Sequence, residues 1–340
     1  MIKELIKKLV EKQDMTEEEA TQGMFEIMNG ETTHSQTAAF LTSLKMKGET
    51  SREILGMALA MREMSVKISA QHRPVIDTCG TGGDRKGNFS TFNVSTVSAI
   101  VVAGADITVA KHGNRAVSSA CGSADLFEAL GVKIDLVPEQ AEKCLNETGI
   151  AFLFAPIFHP AMKNAAVPRK EMEIRTVFNI LGPLCNPSNL SCQIIGVYDH
   201  SCAGKIASIL PKLGITNAMV VSSRDGLDEI SPSGDTFVAE LKDNKVSFYE
   251  IKPQELGLEF TKLSEISGGD SKKNKEITLS VLKGEKSPYR NAVLLNAGAA
   301  IYIAEKARDI KEGIKIAEDV ITSGNAMKKL ELLIKFSNKV

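Results

Sequence analysis

At 340 residues the chain is too long for a minidomain and, at roughly 100–200 residues per domain, calls for two domains or one large α/β domain with an appendage. Its 43% apolar and 24% charged residues are the composition of a folded protein, which excludes disorder. Forty-one Lys and Arg against forty-two Asp and Glu leave a formal charge of −1, so neither nucleic acid nor an anionic membrane is expected as partner, and 5% aromatics without Trp argue against base-stacking platforms.

Ile2, Leu5, Ile6, Leu9 and Val10 recur at helical spacing. Thr16-Glu-Glu-Glu19 is a capping box that opens a second helix, with Ala20, Met24, Ile27 and Met28 on one face and Asn29-Gly30 closing it. A third helix fits Gln36 to Met46, ended by Gly48. A fourth starts from the Thr50/Glu53 capping box and carries Ile54, Leu55, Ala58 and Met61. The texture changes at His72-Arg-Pro74. Beyond it, short β-rich runs alternate with helical stretches: Val75-Ile76, Ile107 to Ala110, Val132 to Leu136, Ile150 to Phe154, Gln193 to Tyr198, and Ala218 to Val221. That alternation predicts α/β architecture with a mainly parallel sheet and crossover helices. Thr236 to Leu241 and Val246 to Ile251 flank the turn-like Lys242-Asp-Asn-Lys245 and predict an antiparallel hairpin. From about Ser287 the chain is helical, and Asn291 to Ala304 is apolar enough for a buried core helix.

The six cysteines, Cys79, Cys121, Cys144, Cys185, Cys192 and Cys202, form no CxxC pair and have no metal-spaced histidines, so reduced thiols in a cytoplasmic protein are expected and a structural zinc site is not. The start, MIKELIKKLVEK, is too charged for a signal peptide. Even the apolar stretch Ala292 to Ala304 is short of a membrane span and contains Asn296.

Asp77-Thr-Cys-Gly80-Thr81-Gly82-Gly83-Asp84 follows the first β-like run, where open α/β sheets place their ligands. Its glycines would let backbone N–H groups approach phosphate oxygens, although a tight turn alone would also use them. It is neither GxGxxG nor GxxxxGK[ST], which weakens a dinucleotide or nucleoside-triphosphate reading. Asn93-Val-Ser95-Thr96 precedes a helix predicted over Val97 to Ala103 and could form an anion site at its N-terminus. The next run ends in Lys111-His112-Gly113-Asn114-Arg115-Ala-Val-Ser118-Ser119, whose cations, amide and hydroxyls suit a phosphate group, while a solvated basic loop is the bland alternative. Asp225-Gly226-Leu227-Asp228-Glu229-Ile230-Ser231 offers adjacent carboxylates in a turn, and opposite a polyphosphate these would be Mg²⁺ ligands. Taken alone, Arg169, beyond His159-Pro-Ala-Met162-Lys163, is a surface charge.

Taken together and in this order, GTGGD at 80–84, NVST at 93–96, KHGNRAVSS at 111–119, HPAMK at 159–163, RTVFNILGPLCNP at 175–187 and DGLDEIS at 225–231 resemble the anthranilate phosphoribosyltransferases of tryptophan biosynthesis. Ser123-Ala-Asp-Leu-Phe-Glu-Ala-Leu-Gly131 and Asn296-Ala-Gly-Ala-Ala300 extend the resemblance over the whole chain. It implies a nucleoside-phosphorylase-like fold: a small all-helical domain, residues 1–70 joined by part of 160–187, and a larger α/β domain, residues 71–340, that binds phosphoribosyl pyrophosphate. It also implies a cytoplasmic homodimer joined through the helical domain, with room for association with anthranilate synthase.

Carried over by motif, the phosphoribosyl-pyrophosphate contacts are Gly80, Gly83, Asp84, Thr91, Asn93, Val94, Ser95, Thr96, Lys111, His112, Gly113, Asn114, Arg115, Ala116, Val117, Ser118, Ser119 and Ser123. Gly80, Asn114 and Arg169 match anthranilate contacts; Ser95, Asp228 and Glu229 match the ligands of Mg²⁺, two ions bound with the substrate. The chain departs from the family in a longer stretch between Asp84 and Asn93, and in Glu173, where a glycine is usual.

The implied reaction joins the amine of anthranilate to C1 of the ribose and expels pyrophosphate, the second step from chorismate. An arylamine is unprotonated at neutral pH, so no side chain need act as nucleophile or strong base. A pyrimidine nucleoside phosphorylase of the same fold is an alternative that the Asp228-Glu229 pair argues against, because that chemistry needs no Mg²⁺-polyphosphate. An inactive, nucleic-acid-binding relative is a second, which the near-neutral charge opposes.

Overall fold

The computed structural model describes residues 1–82, 90–116 and 120–340, and the chain divides into two units, Met1–Lys67 with Pro156–Pro187 and Ile68–Ala155 with Ser188–Val340.

The first unit is helical. Its N-terminal helices are Ile2–Val10, Glu17–Met28, His34–Lys47 and Ser51–Glu63, and the last three open from reciprocal capping boxes at Thr16, Thr33 and Thr50. The third helix therefore starts two residues earlier than predicted, because the Gln36 side chain turns back to the Thr33 N–H instead of opening the helix itself. Glu53 is fully buried and joins three elements: Oε1 accepts the Met15 N–H at 2.9 Å, and Oε2 accepts Lys47 Nζ at 2.9 Å and the Thr50 N–H at 2.8 Å. Gly56 lets two helices touch, since a Cβ there would lie 2.2 Å from the Glu17 carbonyl.

Helices Lys163–Met172 and Val177–Leu184 complete the unit. Asn164 Nδ2 donates to the Met28 carbonyl at 2.6 Å, and Arg62 Nε donates to the Leu184 carbonyl at 2.6 Å. The helix Lys163–Met172 ends at Glu173, which adopts φ 50° and ψ 23°. This is the left-handed conformation that favours glycine, so the unusual residue keeps the glycine-like turn at a cost of about 1 kcal/mol.

In the second unit the described residues form one seven-stranded sheet, in the order β3-β2-β1-β4-β5-β6-β7. The strands are β1 Val75–Gly80, β2 Thr108–Gly113, β3 Ile150–Phe154, β4 Cys192–Gly196, β5 Asn217–Ser223, β6 Thr236–Lys242 and β7 Lys245–Ile251. The first five are parallel, and β6 and β7 pair antiparallel. Asp243 and Asn244, at φ 49° and 60°, tighten the predicted turn to the two-residue hairpin that positive φ at both positions produces. Strands β1, β2 and β3 step outward in one direction and β4 lands on the other side of β1. The order thus reverses between β1 and β4, where open α/β sheets leave a crevice at the strands' carboxyl ends. The buried helix Pro288–Ile303 is present as predicted.

Three expectations change. Val132 to Leu136 is not a strand: its apolar residues are buried alternately, but Lys133 N–H bonds the Ser337 hydroxyl at 3.1 Å rather than a neighbouring strand. β1 runs on through Asp77 to Gly80, expected to be loop, because each of these residues pairs with β4. The helix predicted from Val97 starts at Val94 and runs to Gly104. All six cysteines are free. Among the described residues no helix is long and apolar enough to cross a membrane.

Candidate active site

Gly80 and Gly196 are register partners at the carboxyl ends of β1 and β4, where the strand order reverses. The segment after β5 folds back onto this pair. A Cβ on Gly196 would lie 1.5 Å from the Asp228 carbonyl oxygen, and one on Gly80 would lie 2.2 Å from Asp228 Oδ2. Two paired glycines therefore make the hollow in which Asp228 sits, 7% exposed. Asp228 Oδ2 accepts the Gly82 N–H at 2.8 Å, and Glu229 Oε1 accepts the Ser95 N–H at 3.3 Å. Ser95 lies in the first turn of helix Val94–Gly104, the positive end of the helix dipole, which favours negative charge. Ser95, Asp228 and Glu229 are thus brought together from sites more than a hundred residues apart.

Asn296 explains its own place in an apolar helix. Its Oδ1 accepts the Ile230 N–H at 3.0 Å and its Nδ2 donates to the Ile230 carbonyl at 2.8 Å, clamping the carboxylate turn. Asp225 accepts the Ser231 hydroxyl and closes the turn from the other side. In the sequence Asn296 belongs to a motif without a role; its clamp joins residues 66 apart, beyond any local pattern.

At the end of β2 the basic motif divides. Lys111, expected in a loop, lies inside the strand, 2% exposed, with Nζ donating to the Thr78 carbonyl. His112 and Gly113 complete β2, and a Cβ on Gly113 would lie 2.1 Å from Ser123 Oγ. Asn114 is exposed, and its carbonyl accepts the Ala124 N–H at 3.2 Å. Arg115 grips Glu128 with both terminal nitrogens, at 2.8 and 2.9 Å, and Asp125 at 3.0 Å, and it holds the Glu128 carboxyl below the usual range. Asp125 Oδ2 accepts the N–H groups of Ala116 at 2.9 Å and Gly122 at 2.8 Å. Gly83, Asp84, Val117, Ser118 and Ser119 lie outside the described residues.

Asn93 occupies the N-cap position of helix Val94–Gly104 but makes no side-chain cap bond. Its Nδ2 donates to the Cys121 carbonyl at 3.0 Å, and its Oδ1 accepts Asn274 Nδ2 at 2.9 Å. Val94 and Thr96 are buried in the helix, and their N–H groups donate to the Phe92 and Asn93 carbonyls at 2.7 and 3.1 Å. Thr91 is bridged to Ser267. Cys79 is held well above the usual thiol range by burial and stays protonated.

In the helical unit Arg169 is not the surface charge that its surroundings in sequence suggest. It is half-buried, and its guanidinium lies 4.9 Å from the centre of the Phe178 ring. Burial lowers its pKa, and no carboxylate among the described residues pairs with it. His159 is buried, 4% exposed, and burial pushes its pKa down to about 4, so it is neutral.

Comparison with known proteins points the same way. Residues 72–327 match the family described as glycosyl transferase family, a/b domain, and residues 3–65 match its helical bundle domain. The chain is 49% identical over 333 residues to the anthranilate phosphoribosyltransferase of Petrotoga mobilis, covering 98% of this chain and 96% of that protein. It is 47% identical over 340 residues to that of a Thermoanaerobacter species, covering 100% of both. Among solved structures, anthranilate phosphoribosyltransferase (TrpD) from Thermus thermophilus matches with a TM-score of 0.92 at 40% identity, covering 98% of this chain and 99% of that one. The Saccharomyces cerevisiae enzyme in complex with PRPP and Mg matches at 0.90 and 29% identity, covering 100% of this chain and 98% of that one.

Proposed function

The chain belongs to the anthranilate phosphoribosyltransferase family, and we propose that the residues gathered at the carboxyl ends of β1, β2 and β4, together with Arg169, carry the family's reaction in it. It transfers the phosphoribosyl group of 5-phosphoribosyl 1-pyrophosphate to the amine of anthranilate, giving N-(5-phosphoribosyl)anthranilate and pyrophosphate, a step of tryptophan biosynthesis. The observation that carries the assignment of residues is the seating of Asp228 on the Gly80–Gly196 pair beside the first turn of helix Val94–Gly104.

The residues present fit Mg²⁺. Asp228, Glu229 and Ser95 offer oxygen donors in one place, while no group of three His, Cys, Asp or Glu among the described residues could enclose an ion unaided. That sparse set suits Mg²⁺, which takes one or two carboxylates and completes its shell with water and substrate phosphates. When bound, Mg²⁺ supplies positive charge to the departing pyrophosphate. Two ions per site belong to the same proposal.

The arylamine is already unprotonated, so the chain has only to place it and stabilise charge. This agrees with a buried, neutral His159 and a protonated Cys79, neither of which is primed as base or nucleophile. Breaking of the bond to pyrophosphate leads, through an oxocarbenium-like transition state, and the positive end of helix Val94–Gly104 favours the growing negative charge. Arg169 holds the anthranilate carboxylate: a half-buried guanidinium without an acidic partner among the described residues, over the Phe178 ring, is suited to paired charge-assisted bonds. The proposal includes a cytoplasmic homodimer through the helical unit, supported by the exposed Val10, Met46, Val167 and Ile174 of that unit.

Purified protein given phosphoribosyl pyrophosphate, Mg²⁺ and anthranilate should consume anthranilate fluorescence. No turnover at any Mg²⁺ concentration in folded protein would overturn the assignment.

A further inference from the structure

We propose that Asn274, on helix Ser271–Leu282, is a positioning residue for the phosphoribosyl-pyrophosphate site, which it serves by fixing the direction of the Asn93 amide; the inference rests on the activity proposed above. Asn274 is 2% exposed and stands 181 residues from Asn93 in the chain. Its Oδ1 accepts the Gly269 N–H at 2.8 Å, and its Nδ2 donates to Asn93 Oδ1 at 2.9 Å. Asn93 Nδ2 then donates to the Cys121 carbonyl at 3.0 Å.

The chain of bonds has one direction. A primary amide has nearly the same shape either way round, so its partners decide how it faces. Here a backbone N–H, which can only donate, stands at one end and a backbone carbonyl, which can only accept, at the other. Both amides are thereby fixed. The consequence falls on two segments that carry substrate-facing groups: the helix start at Asn93 to Thr96, and Cys121 to Ser123. The segment 266–268, just before Gly269, holds the backbone before Asn93: Phe92 N–H donates to the Ile266 carbonyl at 3.2 Å and Gly268 N–H to the Ser90 carbonyl at 2.9 Å. A Cβ on Gly268 would lie 2.6 Å from the Thr91 carbonyl, so the contact is backbone to backbone.

Asn274→Asp isolates direction from packing. It keeps volume and the acceptor for Gly269, but sets an oxygen against Asn93 Oδ1. Asn93 must then flip, which faces its own oxygen to the Cys121 carbonyl, or stay and lose its donor. Either way one link breaks. We expect the KM for phosphoribosyl pyrophosphate to rise about tenfold, the size of one buried hydrogen bond lost and opposed. The anthranilate KM measured at saturating phosphoribosyl pyrophosphate should stay within about twofold, because the bonds lost hold Asn93 to Thr96 and Cys121 to Ser123, none of which is itself an anthranilate contact. On an Asn93→Ala background the same change should add nothing further, as a residue acting through Asn93 requires. An unchanged KM in folded Asn274→Asp, or full additivity with Asn93→Ala, overturns the inference. A third measurement does not depend on activity: the Asn274 side-chain amide protons should be protected from exchange in the unaltered protein and exchange faster in Asn93→Ala, where their acceptor is gone. Rapid exchange in the unaltered protein overturns the inference, whereas protection without turnover would count against the activity and leave the bracing in place.

Discussion

Gly196→Ala tests the site at its foundation. The added Cβ would lie 1.5 Å from the Asp228 carbonyl oxygen, 2.4 Å from its carbonyl carbon and 3.2 Å from its Cα, all of them backbone atoms that no rotamer can move aside. Ordinary contact begins near 3.4 Å, so the Asp228 backbone must retreat by about 2 Å. The retreat breaks the 2.8 Å bond from Gly82 to the Asp228 carboxylate and pulls on the Asn296 clamp two residues on. Over-packing of this kind costs about 1–3 kcal/mol, which a domain with about 5–15 kcal/mol of stability survives with a thermal midpoint lower by roughly 2–12 °C. Catalysis has no such margin: a misplacement of about 1 Å can cost about a hundredfold, so kcat should fall at least that far and the Mg²⁺ requirement should rise. The assay is anthranilate fluorescence against Mg²⁺ concentration, beside a thermal melt. Gly204→Ala is the control, since its Cβ would meet only the exposed Phe248 ring at 3.3 Å. A Gly196→Ala protein with an unaltered rate and Mg²⁺ response would show that the Asp228 hollow plays no part in catalysis.

Arg169→Ala should raise the anthranilate KM by about one to two orders of magnitude and leave that for phosphoribosyl pyrophosphate in place, with Lys a poor substitute because it lacks the planar fork that pairs with a carboxylate; a shift confined to the other substrate would refute the carboxylate role. Asp228→Asn with Glu229→Gln should abolish turnover and Mg²⁺ response while the melt stays two-state, and an unaltered Mg²⁺ titration would reduce the pair to a structural turn. Glu53→Gln leaves Lys47 buried with its other partner Asp14 exposed, so urea unfolding should show a loss of about 3–5 kcal/mol; a loss below about 1 kcal/mol would mean that this ion pair does not join the helices. His159 is neutral when folded, with a pKa near 4 against 6.5 when unfolded. Its stabilising effect is therefore complete above pH 6.5 and is lost as pH falls toward 4, by at most about 3 kcal/mol. Between about pH 6.5 and 5.5, above the range where most carboxylates titrate, the midpoint of the unaltered protein should fall more steeply than that of His159→Gln, and parallel slopes would contradict the burial of the imidazole.

Short-range chemistry was legible in the sequence. Thr16 with Glu19 and Thr50 with Glu53 announce their helices because a capping box needs only four consecutive residues. The five parallel strands were legible as apolar runs, and the hairpin from its turn. Val132 to Leu136 reads as a strand because alternate burial does not require a neighbouring strand, and nothing local says that the Lys133 N–H goes to the Ser337 hydroxyl. In the site, glycines and acids stood out as types, but their meeting did not. That Gly80 faces Gly196, or that Arg115 is held by Glu128, depends on register and on which helix comes next in the chain. Asn274 left no signal at all, since its work is done 181 residues away.

The helical unit is assembled from two separated stretches, and that fixes an order of events on the ribosome. At about 5–20 residues per second, roughly ten seconds pass between synthesis of the helix ending at Glu63 and that of Val177–Leu184. Until then the Met28 carbonyl waits for Asn164, and Arg62 waits for the Leu184 carbonyl. In the interval the chain lays down β1, β2 and β3, three strands of the seven, with β1 still lacking one of its two neighbours. Neither unit can finish before residue 187 is made. All the residues of the helical unit are then made, whereas β4 to β7 are still to come.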